Sequence, residues 1–177
     1  MILGMTTATF TLLHVLISLA GIASGLVVMY GFLASKRLDR WTVVFLTTTI
    51  ATSLTGFAFP NEHITPGIVL GILSLIVLTV ALVARYGLRM SGAWRWIYVV
   101  TASVALYFNV FVLVAQSFAK VPALKALAPT QKEPPFAIAQ LVVLALFVGL
   151  TVFAVKRFHP VTTAVEASKP TLTKKAA

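Results

Sequence analysis

The stretch WIYVVTASVALYFNVFVLVAQSF, residues 96–118, decides the fold, together with KVPALKALAPTQKEPP at 120–135, which ends it. The first stretch is apolar and long enough to cross a bilayer, for which about 20 residues suffice. It carries two primary amides, Asn109 and Gln116. They are two helical turns apart and share one face with Thr101, Ala105 and Val112. Amides facing lipid are costly, so this face is expected to point into protein. The second stretch is broken by prolines at 122, 129, 134 and 135. It predicts a short helix begun by Pro122 and stopped by Pro129, then an irregular loop.

Outward from that pair, four more apolar runs appear, giving spans at about 10–33, 41–59, 66–84, 96–118 and 136–155. The fold class is therefore an all-α membrane protein, a five-transmembrane-helix bundle. The composition agrees, with 59% hydrophobic residues, 10% charged residues and a mean hydropathy of +1.00. A water-soluble domain of 177 residues cannot hide so much apolar surface. The first run lacks a preceding Lys or Arg and exceeds a signal-peptide core, so it reads as an uncleaved span. Residues 1–158 form the membrane domain, and 159–177 read as a disordered, basic cytoplasmic tail.

The net charge of +10 does not indicate nucleic acid, because the cations sit at the ends of the apolar runs. Eleven Lys and Arg fall on one side, in the 33–41 and 85–95 connections and after 155, against Lys120, Lys125 and Lys132 on the other. The positive-inside rule puts the N-terminus outside and the C-terminus in the cytoplasm. Trp41, Trp94, Trp96, Tyr30, Tyr86 and Tyr98 cluster at the cytoplasmic ends, as an aromatic belt does. The chain has no cysteine, which removes disulfides, thiolate metal sites and cysteine nucleophiles.

Thr7, Thr11, His14, Ser18, Gly21 and Gly25 form one stripe on the first span. Gly21 and Gly25, and in the third span Gly67 and Gly71, predict close helix packing, within the chain or in a homo-oligomer. Polar groups gather in the outer half of the membrane. His14, Thr55 and Gln140 lie about 6 Å deep, Thr52 about 10 Å and Asn109 about 14 Å, with Gln116 nearer the surface. His14, Thr52, Thr55, Asn109, Gln116 and Gln140 are therefore the candidate ligand-binding residues. Glu62, His63, Gln131 and Glu133 in the outer loops are candidates to cap them.

His14 is the only ionisable side chain inside any span. Such a residue is a functional candidate by default. The plainer alternative is a neutral imidazole bonded to a polar neighbour, joining two helices. The functional alternatives are a ligand to haem b iron, with His63 as second ligand, a hydrogen bond to a quinone, or a role in proton movement. No metal site is otherwise expected, since nitrogen and carboxylate ligands are too few. No nucleotide loop, catalytic triad or carboxylate pair is present, so an enzyme of familiar type is not expected. A small transporter is disfavoured, since no span holds a carboxylate, Lys, Arg or proline break.

Thr55-Gly56-Phe57-x-Phe59-Pro60, Gly92-Ala93-Trp94-Arg95-Trp96-Ile97-Tyr98-Val99 and Ala128-Pro129-Thr130-Gln131-x-Glu133-Pro134-Pro135-Phe136 resemble stretches of a family of small bacterial multi-pass inner-membrane proteins of unknown function. The resemblance implies a bacterial inner-membrane location and carries no activity. The expectation is a non-enzymatic membrane protein whose outward-facing polar pocket binds a small ligand or a membrane partner subunit. A redox-associated protein holding haem b or a quinone near His14 is the alternative.

Overall fold

A computed structural model describes residues 2, 4–59 and 65–159. The described chain is helical, with no strand beyond an isolated Ile2–Met5 bridge. The long helices are α1 (Thr7–Leu33), α2 (Asp39–Phe57), α3 (Pro66–Leu82), α4 (Trp94–Lys120) and α6 (Pro134–Arg157), with the short α5 at Pro122–Leu127. Their starts follow local chemistry. Thr6 and Thr65 accept hydrogen bonds from Thr9 N and Ile68 N and so cap α1 and α3. Proline stands in the first turn of α3, α5 and α6, where its missing N–H costs nothing.

Four segments are long and apolar enough to cross a membrane: Thr7–Leu33, Pro66–Gly87, Trp94–Lys120 and Pro134–Arg157. Apolar side chains such as Leu16, Ile76, Leu141 and Phe153 point outward from the bundle. In water that coat would aggregate; against lipid tails it is the expected surface. The chain is a multi-pass membrane protein. The remaining long helix, α2, carries six threonines plus Asp39 and Arg40 in 19 residues, which lowers its hydropathy.

Helix α4 is the centre, touching every other long helix. Val99, Ala102, Ala105 and Leu106 on it are buried, and small residues there let neighbours come close. Helices α1 and α2 run antiparallel. Gly31 abuts Leu38, Gly25 abuts Phe45, Gly21 abuts Thr48 and His14 reaches Thr55, stepping in opposite directions along the two helices. Glycine is required most at position 25, where an added Cβ would lie 2.5 Å from Leu106 Cδ1 and 2.9 Å from the Phe45 ring. Both neighbours are themselves buried and have nowhere to move. Of the other expected packing glycines, a Cβ added at Gly71 would lie 3.0 Å from the Phe57 ring, whereas one at Gly67 would meet only Thr65, at 3.7 Å.

One end of the bundle gathers the 34–38 and 88–93 connections and the end of α6. Arg95 Nη1 donates to the Phe158 carbonyl at 2.7 Å, and His159 N donates to Ser35 Oγ at 2.9 Å. After α3 the backbone widens into a π-helical turn, Val83–Gly87, with Leu88 N bonding the Val83 carbonyl. Arg85 in this turn is only 5% exposed. It pairs with Asp39 and lies over the Tyr98 ring, 5.1 Å from its centroid. A guanidinium so buried needs that carboxylate. Tyr98 corrects the aromatic-belt expectation: it is fully buried, with its ring edge-on to Phe32, because its face of α4 points at α1 and Arg85. Trp41, Trp96, Tyr30 and Tyr86 remain exposed. The tail expected after 159, and the loop residues Glu62 and His63, lie outside the described residues.

Replacing Gly25 tests the α1–α2–α4 crossing. Gly25→Ala overpacks it and is expected to cost about 1–3 kcal/mol, read as a lower Tm in detergent. Leu26→Ala, on the outward-facing neighbour, should change Tm much less.

Candidate functional site

Toward the other end, where α1 begins, helices α1 to α4 surround a cavity of about 640 Å³. His14, Thr52, Asn109 and Gln116 all line it, although they come from three helices. Val15, Leu19, Ile68 and Val112 supply apolar walls, and Lys120 stands in the lining as a cation.

The geometry around His14 fixes its chemistry. Its Nδ1 lies 2.7 Å from Thr55 Oγ1. A threonine hydroxyl has one hydrogen, and Thr55 gives it to the Ala51 carbonyl, also at 2.7 Å. Both short contacts carry a hydrogen only if Thr55 Oγ1 accepts from a His14 Nδ1–H, so the arrangement favours that tautomer of the imidazole. Its Nε2 is left as an acceptor that makes no hydrogen bond among the described residues. The Phe59 ring stands edge-on to the imidazole at 5.3 Å and helps hold its plane.

Asn109 Nδ2 donates to Thr49 Oγ1 at 3.2 Å, joining α4 to α2. Gly21 lies beside this contact: a Cβ there would stand at ordinary van der Waals distance, 3.4 Å from Thr49 Oγ1 and 3.5 Å from Asn109 Nδ2. The cavity hydroxyls largely bond backward along their own helices, as hydroxyls in lipid-embedded helices do. Ser18 donates to the His14 carbonyl at 2.8 Å, Ser53 to Thr49 at 3.1 Å and Ser117 to Leu113 at 2.8 Å. Two hydroxyls, Thr52 Oγ1 and Ser74 Oγ, are buried without a partner. Gln116 makes no hydrogen bond among the described residues, and its amide is exposed.

Thr55 bonds His14 without lining the cavity, and three other expected site residues lie elsewhere. Gln140 is buried, but its Nε2 donates to the Phe111 carbonyl at 3.1 Å and it does not line the cavity. The reason is rotational. Helix α6 packs on the α4 face of Tyr107, whose ring lies 5.7 Å from that of Phe147 on α6, while the cavity lies on the α4 face of Asn109 and Gln116. Gln131 Nε2 donates to the Ala115 carbonyl at 2.7 Å, stitching the loop down onto α4 rather than across the cavity. Glu133 accepts from Thr130 N and Oγ1 and from Lys132 N, so it closes its own turn ahead of α6. Slight desolvation pushes its carboxyl up, but these hydrogen bonds outweigh it and hold the group below the usual range.

Ser53 and Lys120 belong to the cavity and were not singled out by sequence. Lys120 had a readable signal, since it follows Gln116 by one turn on the amide face of α4. Among the described residues no three His, Cys, Asp or Glu gather as a metal set. Comparison with protein-family models, with curated proteins and with solved structures finds no match to the chain.

Proposed function

We propose that the chain is a five-span bacterial inner-membrane protein, N-terminus outside, whose outer cavity binds a small amphipathic ligand without transforming it. The observation that carries the reading is the cavity of about 640 Å³, with polar groups from several helices set among apolar walls. Pockets for small molecules share this design, with few polar groups fixing orientation and apolar area supplying affinity.

The fifth crossing is α2. Its 19 residues span about 28 Å at about 1.5 Å per residue, close to the roughly 30 Å hydrocarbon core. Its antiparallel contacts along α1 support equal depth. Thr42, Thr48 and Thr55 give their hydrogens to backbone carbonyls of α2, which removes much of their cost in lipid. The eleven-to-three division of Lys and Arg supports the orientation. A second reading, haem b ligated by His14, is supported by the unpaired Nε2; a quinone carbonyl is not, since that nitrogen has no hydrogen to give it. A Soret band in the purified protein selects haem.

Two experiments test the proposal. The chain lacks native cysteine, so single-cysteine labelling reads the topology directly. An impermeant reagent on intact cells should label Thr130→Cys and spare Ser35→Cys; the reverse pattern overturns the orientation. For the cavity, native mass spectrometry of protein extracted from its own membrane should show a small-molecule adduct. Val112→Trp fills the cavity and should lose it while keeping the fold. An adduct-free wild type, or an adduct that survives the substitution, contradicts the binding reading.

A further inference from the structure

We infer that the cavity selects an amphiphile that donates a hydroxyl, of the phenol or quinol type, to His14 Nε2. This inference rests on reading the cavity as a ligand site. Its basis is a count of hydrogens around the imidazole. Thr55 spends its only hydroxyl hydrogen on Ala51, so His14 spends its one N–H on Thr55. Ser18 spends its hydrogen on the His14 carbonyl and Ser53 on Thr49. Thr11 spends its hydrogen on the Thr7 carbonyl at 2.8 Å. What these groups present to the cavity is lone pairs, beginning with the unpaired Nε2.

A carbonyl or ether ligand brings only lone pairs to Nε2 and leaves that nitrogen unpaired. A hydroxyl brings the missing hydrogen. Once a ligand covers the nitrogen, an unpaired acceptor there costs more than a made hydrogen bond gains, so the discrimination is against ligands lacking the donor. Thr52 and Ser74 keep hydroxyl hydrogens that the oxygen of such a ligand can accept, and the Gln116 amide and Lys120 lie one and two turns beyond Val112 on α4. Lys120 also disfavours a cationic donor such as an alkylammonium, which leaves the neutral hydroxyl. Val15, Leu19 and Val112 provide the apolar contact for the ligand body. For a redox pair of carriers, the same geometry prefers the quinol over the quinone.

The test uses the full chain in an amine-oxide detergent, which brings no hydroxyl of its own. The probes are 4-hexylphenol and 4-hexylanisole, which differ by one methyl group on the oxygen, and binding is read from Tm against concentration. The phenol should bind about fivefold more tightly than the ether, the worth of one net hydrogen bond. His14→Phe should erase that preference while leaving the ether's affinity, and comparison with this variant cancels partition into micelles. Thr55→Val, which removes the acceptor for Nδ1, should also reduce the preference and serves if His14→Phe does not fold. Equal binding of phenol and ether overturns the inference and leaves the binding reading standing. No Tm shift with either probe overturns both. 1,2-Dioctanoylglycerol distinguishes the sources: if it competes with the phenol, the hydroxyl comes from a lipid; if it does not, from a free phenol or quinol.

Discussion

In hydrocarbon a hydroxyl hydrogen has almost no partner but a carbonyl of its own helix. That constraint organises this protein more than any apolar contact does. Lipid tails are as oily as the core, so burial alone gives the helices little reason to associate. Their association rests on close packing at small residues and on a few polar bonds that cross between helices. Two such bonds, His14 to Thr55 and Asn109 to Thr49, tie α1 and α4 to α2. Gly21 and Gly25 bring the backbones near enough for both. Most of the hydroxyls give up their hydrogens in this way, Thr52 and Ser74 excepted, so the cavity left among α1 to α4 holds many bare acceptors.

The two ends of the bundle handle polarity differently. At the cavity end, neutral groups meet one another and water-facing loops are held by Gln131 and Glu133. At the opposite end, charge is buried and paired. Arg85 turns inward at the π-helical turn and is balanced by Asp39, which Arg37 also approaches at 3.6 Å. The pair fastens the start of α2 to the end of α3. The aromatic rings of Tyr86 and Tyr98 cover the guanidinium faces. This end resembles a clamp and the other an opening.

The helices were legible in the sequence because long apolar runs bounded by proline and basic residues leave few alternatives. The expected 96–118 lies inside Trp94–Lys120, and 136–155 inside Pro134–Arg157. Rotation was not legible. Gln140 lies in the early turns of α6, yet away from the cavity, because nothing in its own run reveals which face of α4 that helix will choose. Tyr98 reads as an interface aromatic by its place at a helix end; only the packing of α1 and the inward turn of Arg85 make it core. Lys120 reads as a loop charge until α4 is seen to run on to that residue.

The account stands on the tautomer of His14. Nitrogen-15 NMR of histidine-labelled protein in bilayers measures it directly, and only three histidines contribute signals, of which His14→Gln identifies the relevant one. The account predicts a neutral ring with the proton on Nδ1 and a bare Nε2, converting to a mixture of tautomers in Thr55→Val. A ring protonated on Nε2, or one indifferent to the loss of the Thr55 hydroxyl, contradicts it.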